Sequence, residues 1–352
     1  MLKMLVALEP SVAGFKEYED RKIKPDEVRC KVLYAAPKHG TELAEFKNIS
    51  VHAKAKYDHE WRLFMPWEDG EKAEAVFGEW NLGNQWVGAV IEAGGEVEDF
   101  KVGDLICSYG GIRETHIIKA VNNGQCRKLN DIALWKNALC YDPTQFALGG
   151  VRDGNVRPGD GVAVYGLGAI GQIAAQICKK LGASPVIVIE PIEYRRKIAL
   201  KNGADYALDP LSTDVGLALK RLTGKRGVDV VIETSGQVSA LQSGLRGLAY
   251  GGTISYVAFA KPMSGLELGR EAHFNNAKII FSRACSEPLR DYPRWTRRRI
   301  EDTSWNMLLN GYLHCEDLIY PVVPFATCDQ AYMNYVDRNP QQSIKLGIEF
   351  QK

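Results

Sequence analysis

The chain has 352 residues, of which 45% are hydrophobic and 25% charged, and its formal net charge is +1. This balance lacks the strongly basic surface that nucleic acids and anionic membranes attract, so we expect neither as a partner. No apolar run approaches the roughly 20 residues of a membrane span, and the N-terminal stretch lacks the long apolar core of a signal peptide.

Eight cysteines are scattered along the chain, and none of them forms a C-x-x-C pair. A chain long enough for about two hydrophobic cores needs no disulfide framework, and zinc ribbons need closely spaced cysteine pairs. The pattern therefore favours buried thiols in a reducing compartment, and we expect a cytoplasmic protein.

The first part of the chain, residues 1–150, is predicted to be rich in β-structure. Short alternating or β-branched runs are separated by Gly, Asp and Pro, namely MLVAL, EVRCKVLYAA, WVGAVIEAG, DLICSYG and ETHIIKAV. Between Phe46 and Trp80 this pattern gives way to a long mixed stretch with many aromatic residues. A stretch of this length without clear elements is typical of a functional segment or an insertion.

From about Asp160 the pattern changes to strands that alternate with helices. The runs GVAVYG, SPVIVIE, GVDVVIETSG and GGTISYVAF indicate buried strands, and IGQIAAQICKKLGA, YRRKIALKNGA and SALQSGLRGLA indicate helices between them. This alternation predicts parallel βαβ units, and hence an α/β domain.

The turn between the first strand and helix of this region reads GLGAIG. Gly166, Gly168 and Gly171 allow the tight turn, the approach of a pyrophosphate and close helix–strand packing, with Ala169 and Ile170 between them. The N–H groups at the start of the helix attract phosphate. The turn therefore predicts a dinucleotide site.

An acidic residue, Glu190, ends the next predicted strand at the distance expected for a ribose ligand. Its carboxylate would accept hydrogen bonds from the ribose hydroxyls and repel a 2′-phosphate, which favours NAD over NADP. Arg195 either lines the adenine pocket or attracts a 2′-phosphate. The cofactor prediction is NAD.

With these motifs the whole chain resembles the medium-chain dehydrogenase/reductase family, nearest its polyol and sugar dehydrogenase branch. The resemblance rests on PKHGTE, CYDP, GLGAIGQIA, RGLAYGGTISYVAFAKP, REAHFNNAKI and FSRACSEP. It implies a GroES-like β-rich catalytic domain at residues 1–150 and 288–352, with a Rossmann domain inserted at 151–287. It further implies homo-oligomers and oxidation of a secondary hydroxyl of a hexopyranoside, or the reverse reduction.

Metal ligands are where the sequence departs from the zinc-dependent members of the family. The motif that carries a ligating Cys reads His39-Gly40-Thr41-Glu42, the motif with His and Glu reads Gly83-Asn84-Gln85, and a third ligand position falls at Asp142. Amides are poor substitutes for imidazole and carboxylate on Zn²⁺. His59 and Glu60 in the long stretch are an alternative ligand source, but we expect no metal.

Without zinc, a side chain must take the proton of the substrate hydroxyl. Lys38 and His39 are both candidates for the base, His39 because imidazole is neutral near cytosolic pH and Lys38 in its neutral amine form. Thr41 matches the proton relay of the zinc-dependent members. Asp142 would orient His39 or a substrate hydroxyl.

Substrate contacts are predicted from amide and aromatic side chains. Asn84 and Gln85 would hydrogen-bond sugar hydroxyls, and Trp61 would face the C–H surface of a pyranose. Its aromatic neighbours in the chain equally fit a subunit interface or additional core. Two other functions stay open: a zinc-free quinone or enoyl reductase, which Glu190 disfavours, and a non-catalytic nucleotide-binding protein.

Overall fold

The computed structural model describes residues 1–68, 71, 75–259 and 263–351, which form two compact units. The β-rich unit comprises residues 1–139 and 319–352, and the parallel-sheet unit comprises residues 140–318. Within the described ranges no helix is both long enough and apolar enough to cross a lipid bilayer.

Short strands dominate the first 139 residues. The strands and helices there, in chain order, are β1 (Leu2–Glu9), β2 (Val12–Tyr18), β3 (Glu27–Ala36), α1 (His39–Phe46), β4 (Ala55–Asp58), β5 (Leu63–Pro66), β6 (Gln85–Ala93), β7 (Leu105–Tyr109), β8 (Thr115–Lys119), β9 (Arg127–Leu129) and α2 (Trp135–Ala138).

Strands and helices alternate in residues 140–318. They are α3 (Tyr141–Asp153), β10 (Val162–Tyr165), α4 (Ala169–Lys180), β11 (Val186–Ile189), α5 (Glu193–Lys201), β12 (Tyr206–Leu208), α6 (Val215–Leu222), β13 (Val228–Glu233), α7 (Val238–Gly247), β14 (Leu248–Tyr256), α8 (Glu271–Phe274), β15 (Lys278–Phe281) and α9 (Arg297–Leu309).

The chain then returns to the β-rich unit through β16 (Ile319–Pro324), α10 (Cys328–Tyr332), which continues as a π-helical turn at Met333–Arg338, and β17 (Lys345–Glu349). The main sheet of this unit has the order β16-β17-β3-β6-β7-β9, and β8 also pairs with β3. β3 is central and contacts β6, β8 and β17 in antiparallel register. The two ends of the chain therefore share one sheet.

The parallel-sheet unit contains six strands in the order β12-β11-β10-β13-β14-β15, all parallel. Every residue of β10 and β11 is buried, as expected for strands covered by helices on both faces. In chain order the strands follow the arrangement 3-2-1-4-5-6 of the Rossmann fold. The order in which strands are added reverses between β10 and β13. Folds of this type bind dinucleotides at the carboxyl ends of the strands at this point.

The predicted fold class is confirmed, because a β-rich unit built from both chain ends surrounds a Rossmann unit in the sequence. The compact units differ from the predicted boundaries at both ends of the inserted part. Residues 140–150 belong to α3, which packs on α4, and residues 288–318 include α9, which packs on α3. The boundaries that the resemblance implies place residues 140–150 and 288–318 in the other domain, whereas the compact units group them with the parallel sheet.

Candidate active site

The glycine turn joins β10 to α4 at the carboxyl edge of the parallel sheet. Gly166 has a φ of +81°, and a Cβ there would lie 3.0 Å from the Cα of Ser235. A Cβ on Gly171 would lie 1.8 Å from the carbonyl oxygen of Gly166, so only glycine lets the helix approach the strand this closely. At two of the three predicted positions, Gly166 and Gly171, a side chain would therefore clash with the neighbouring backbone.

The third glycine, Gly168, is the N-cap of α4, and a Cβ there would meet no atom within 4 Å. Ala169 and Ile170 are the first two residues of the helix, and both are half-buried. The first N–H groups of a helix have no carbonyl partner within it, and they carry partial positive charge. The space beside Gly168 therefore suits an anionic group of a ligand.

Glu190 follows β11 directly, and its side chain is 4% exposed. One carboxylate oxygen accepts a hydrogen bond from the N–H of Leu167 in the glycine turn at 2.7 Å, and the other accepts from Ile192 at 3.2 Å. The guanidinium of Arg195 lies 3.9 Å from the first oxygen. The glycine turn, the carboxylate of Glu190 and the guanidinium of Arg195 are therefore close to one another.

The end of β13 completes this turn, and the sequence analysis did not assign it a role. The hydroxyl of Thr234 donates to the carbonyls of Tyr165 and Gly166, both at 2.9 Å. The buried carboxylate of Glu233 accepts hydrogen bonds from the N–H groups of Ser235 and Gly236. The signal was available, because ETSG ends a strand next to β10 and carboxyl ends of parallel strands share one edge.

A second polar group lies where β3 ends, in the β-rich unit; we call His39, Glu42, Asn84, Gln85 and Lys345 the β3-end cluster. Strand pairing places these residues near one another. The last residue of β3 pairs with the first of β6, and β17 pairs with the other edge of β3. Three segments far apart in the chain therefore meet at one strand end.

His39 begins α1, and its Nε2 accepts a hydrogen bond from the N–H of Leu346 at 2.9 Å. A neutral imidazole carries one proton, so in this arrangement the proton is on Nδ1 and neither nitrogen has a lone pair left for substrate. Lys38, the N-cap of α1, and Thr41, in its first turn, are half-buried. The geometry thus favours Lys38 over His39 as a base.

Glu42 is the buried acid of the cluster, with 7% of its surface exposed. Its carboxylate accepts hydrogen bonds from the Tyr332 hydroxyl at 2.5 Å and from the N–H of Gly83 at 3.0 Å. Burial raises the pKa of Glu42 above its ordinary value, while the two hydrogen bonds and the charge of Lys345 oppose that rise. Lys345 is itself buried and donates to the carbonyl of Pro37 at 2.8 Å.

Asn84 is fixed by its backbone, which donates to Ala36 at 3.1 Å and accepts from Gly110 at 3.0 Å. Its side-chain nitrogen is buried and has no acceptor among the described residues. Gln85 is fully buried at the first position of β6, so it is a less direct candidate for a ligand contact than Asn84.

These donors do not fit a zinc ion. Zn²⁺ at a catalytic site takes three protein ligands from thiolate, imidazole and carboxylate groups. Nε2 of His39 already accepts a hydrogen bond from Leu346, Glu42 is the one carboxylate of the cluster, and positions 84 and 85 offer only amides, so the cluster does not supply three such ligands. No group of three potential His, Cys, Asp or Glu ligands occurs in the described parts of the chain, which include His59 and Glu60.

Asp142 and Trp61, two further predicted site residues, belong to other elements of the chain. Asp142 is buried in the first turn of α3, in the parallel-sheet unit. Trp61 is 69% exposed in the turn between β4 and β5, where its N–H donates to Asp58 at 2.8 Å. Tyr57 and Phe64 on the same hairpin are also exposed and their rings are in contact, whereas Trp86 is fully buried and stacks on His116.

Comparison with known proteins agrees with this architecture. Residues 169–298 match the family described as zinc-binding dehydrogenase, a range that contains none of the residues of the β3-end cluster. A D-guloside 3-dehydrogenase of Escherichia coli K12 is 58% identical over 350 residues, which cover 99% of this chain and 100% of that protein.

Solved structures share the fold at low sequence identity. The 2R,3R-butanediol dehydrogenase of Bacillus subtilis superposes with a TM-score of 0.77 at 19% identity, covering 99% of both chains. A Sinorhizobium meliloti chain assigned to the zinc-binding dehydrogenases, solved with NADP bound, gives 0.75 at 20% identity and covers 99% of both chains. This chain therefore belongs to the medium-chain dehydrogenase/reductase family and is a dehydrogenase that uses a nicotinamide cofactor.

Proposed function

We propose that this chain catalyses the NAD-dependent oxidation of a secondary hydroxyl of a hexopyranoside to a keto-sugar, or the reverse reduction. C3 of a guloside or a similar glycoside is the proposed reacting position. The observation that carries the proposal is 58% identity, over the full length of both chains, to a protein named D-guloside 3-dehydrogenase. Identity over the whole length includes the substrate-binding part as well as the cofactor turn.

NAD is the proposed cofactor because Glu190 places a buried carboxylate against the glycine turn. A 2′-phosphate on the adenosine ribose would meet this negative charge. Arg195 lies within ion-pair distance of the same carboxylate, so its positive charge is balanced by Glu190. The pair therefore offers ribose hydroxyls an acceptor and offers a 2′-phosphate little net attraction.

Lys38 is the proposed catalytic base. A bound NAD would supply the hydride acceptor for the carbinol carbon, so a side chain must take the proton of the substrate hydroxyl. The amine of Lys38 takes this proton, directly or through the hydroxyl of Thr41, and the substrate carbon–oxygen bond becomes a carbonyl. Nε2 of His39 accepts a hydrogen bond from the N–H of Leu346, which fixes the start of α1. His39 thereby positions Lys38, the N-cap of this helix.

Asn84 is the proposed donor to a sugar hydroxyl, because its side-chain nitrogen is buried without an acceptor in the described protein. A buried donor without a partner costs free energy that a bound hydroxyl would recover. Gln85, Asp142 and Trp61 complete the proposed set, with Trp61 offering an exposed aromatic face to the sugar ring.

The test is NADH formation, followed by fluorescence, after mixing the purified protein with NAD and a panel of methyl hexopyranosides that includes gulosides. The same panel is run with NADP, and product analysis locates the oxidised carbon. We expect turnover with a guloside or a close epimer, and a preference for NAD. Turnover of quinones or enones with NADPH would replace the proposal with the reductase function. Cofactor binding without turnover of any compound would favour a non-catalytic role.

Homo-oligomerisation is a further part of the proposal. β15 is an outer strand of the parallel sheet, and its last residue, Phe281, is 67% exposed. Exposed strand edges with apolar side chains are usually covered by another chain or element. Light scattering should give at least twice the chain mass of 39.1 kDa, and a monomeric mass would contradict this part.

A further inference from the structure

Three large side chains stand in one row at the carboxyl edge of the parallel sheet. Tyr165, Glu233 and Tyr256 are the last residues of β10, β13 and β14, and the register pairs Tyr165 with Glu233 and Glu233 with Tyr256. Residues paired in register on parallel strands point to the same face. All three are buried, with 3% of Tyr256 exposed.

The two tyrosines of this row differ in what their hydroxyls contact. The hydroxyl of Tyr165 accepts a hydrogen bond from the hydroxyl of Ser243 on α7 at 3.2 Å. The hydroxyl of Tyr256 is buried and has no hydrogen-bond partner among residues 1–68, 71, 75–259 and 263–351. Burial, and after it the charge of Glu233, raises the pKa of Tyr256 to about 12, so the phenol keeps its proton.

A buried hydroxyl without a partner is unfavourable by an amount comparable to a lost hydrogen bond. Phenylalanine has the same shape and would avoid this loss, and Tyr256 already makes an apolar edge contact with Phe281. Packing therefore explains the ring of Tyr256 but not its oxygen atom. The oxygen needs a partner that the described protein does not supply.

Topology indicates where such a partner would come from. In this strand order a dinucleotide crosses the edge at the reversal between β10 and β13. Glu190, the proposed ribose ligand, follows β11 and contacts the glycine turn, which would place the adenosine half on the side of β10, β11 and β12. The other half then lies along the ends of β13 and β14, where β14 ends in Tyr256.

We propose that Tyr256 is a cofactor-binding residue whose hydroxyl makes a hydrogen bond to the nicotinamide half of the bound dinucleotide. This assignment rests on the proposed use of a nicotinamide cofactor. It predicts that the hydroxyl contributes to the affinity for the whole dinucleotide and not to the affinity for its adenosine diphosphate half.

The experiment compares Tyr256→Phe with the wild-type protein in fluorescence titrations with NADH and calorimetric titrations with ADP. Loss of one hydrogen bond should raise the dissociation constant for NADH about 3- to 10-fold. The dissociation constant for ADP should not change, which also shows that the variant is folded. Urea unfolding without ligand should give a midpoint equal to or above that of the wild type, because an unpaired buried hydroxyl has been removed.

Tyr165→Phe is the matched control, since it removes a hydroxyl from the same row that already has a partner. It should lower the urea midpoint without ligand and leave the affinity for NADH unchanged. An unchanged NADH affinity in Tyr256→Phe would overturn the inference and leave the hydroxyl as an internal cost or a water site. Equal weakening by both variants would also overturn it, since the effect would then belong to packing of the row.

The failure of this inference can be told apart from failure of the proposed function. If the wild-type protein binds neither NADH nor NADPH, the proposed function fails first. If it binds NADH and turns over a glycoside while Tyr256→Phe does the same with equal affinity, only the role of Tyr256 is lost.

Discussion

The glycine turn and the β3-end cluster both lie where strands end, but contacts of very different range hold them. In the turn, Gly171 meets Gly166 within one short motif, and Leu167 contacts Glu190 only 23 residues later. In the cluster, His39 contacts Leu346 across 307 residues, and Glu42 contacts Tyr332 across 290. A motif whose residues are close in the chain can be predicted from the sequence. A cluster whose residues meet only in the folded protein cannot.

This difference explains what the sequence could predict. The alternation of strands and helices, the glycines and the acid after β11 gave the Rossmann unit and its nucleotide turn, because each depends on near neighbours. The function of Lys38 and His39 stayed open from the sequence. The choice between them depends on which nitrogen of His39 meets β17, and that contact exists only after both chain ends join one sheet.

Two other features could not be read from the sequence for similar physical reasons. The sequence left open whether the aromatic residues near Trp61 contact substrate, a subunit or the core; in the fold Trp86 lies in the core on β6, while Trp61 is exposed at a hairpin turn. The domain boundary that the resemblance implies, at residue 150, falls within helix α3, and the whole of this helix packs on α4 as part of the parallel-sheet unit.

The largest effect is expected in the β3-end region, from Lys38→Met. Removing a general base should lower kcat for sugar oxidation about 10²- to 10⁴-fold, with little change in the affinity for NADH. His39→Gln is the matched variant, because its amide oxygen can still accept the N–H of Leu346, and it should lower kcat less than about 10-fold. Steady-state kinetics and NADH titration measure both. The reverse order of effects would make His39 the base.

Within the glycine turn, Gly171→Ala should be the most damaging change. The added Cβ would lie 1.8 Å from the backbone oxygen of Gly166, so strand and helix must separate. We expect a loss of about 3 kcal/mol in the free energy of unfolding, together with weaker NADH binding. Gly168→Ala has open space for its Cβ and should weaken cofactor binding without a comparable loss of stability. Urea unfolding and NADH titration separate the two effects.

Glu42→Gln tests whether the long-range cluster depends on a carboxylate. An amide can accept only one of the hydrogen bonds from Tyr332 and Gly83 well, so we expect a loss of about 1–3 kcal/mol in the free energy of unfolding. Glu79→Gln, on an exposed side chain, should change it by less than about 0.5 kcal/mol. Equal stabilities of the two variants would mean that the cluster tolerates an amide at position 42.

The same variant has a defined pH dependence. Burial raises the pKa of Glu42 above 4.5, so the folded protein binds this proton more tightly than the unfolded chain does. The contribution of the group to stability is therefore complete below pH 4.5 and declines as pH rises through the pKa of the folded state. The free energy of unfolding of the wild-type protein should show this decline, and that of Glu42→Gln should not. The difference in free energy of unfolding between the two proteins, measured by urea unfolding, should therefore become smaller as pH rises.

The smallest effect, a ratio of activities close to one, is expected from removing metal ions with a chelator. A catalytic zinc needs three protein ligands from thiolate, imidazole and carboxylate groups. In the β3-end cluster the imidazole Nε2 already accepts a hydrogen bond from Leu346, Glu42 is the one carboxylate, and the remaining positions carry two amides and an amine. A zinc-dependent alcohol dehydrogenase treated in parallel shows that the chelator works. Activity that disappears and returns with Zn²⁺ alone would mean that His39 gives up its long-range hydrogen bond to Leu346, so that this contact would not define the active form of the cluster.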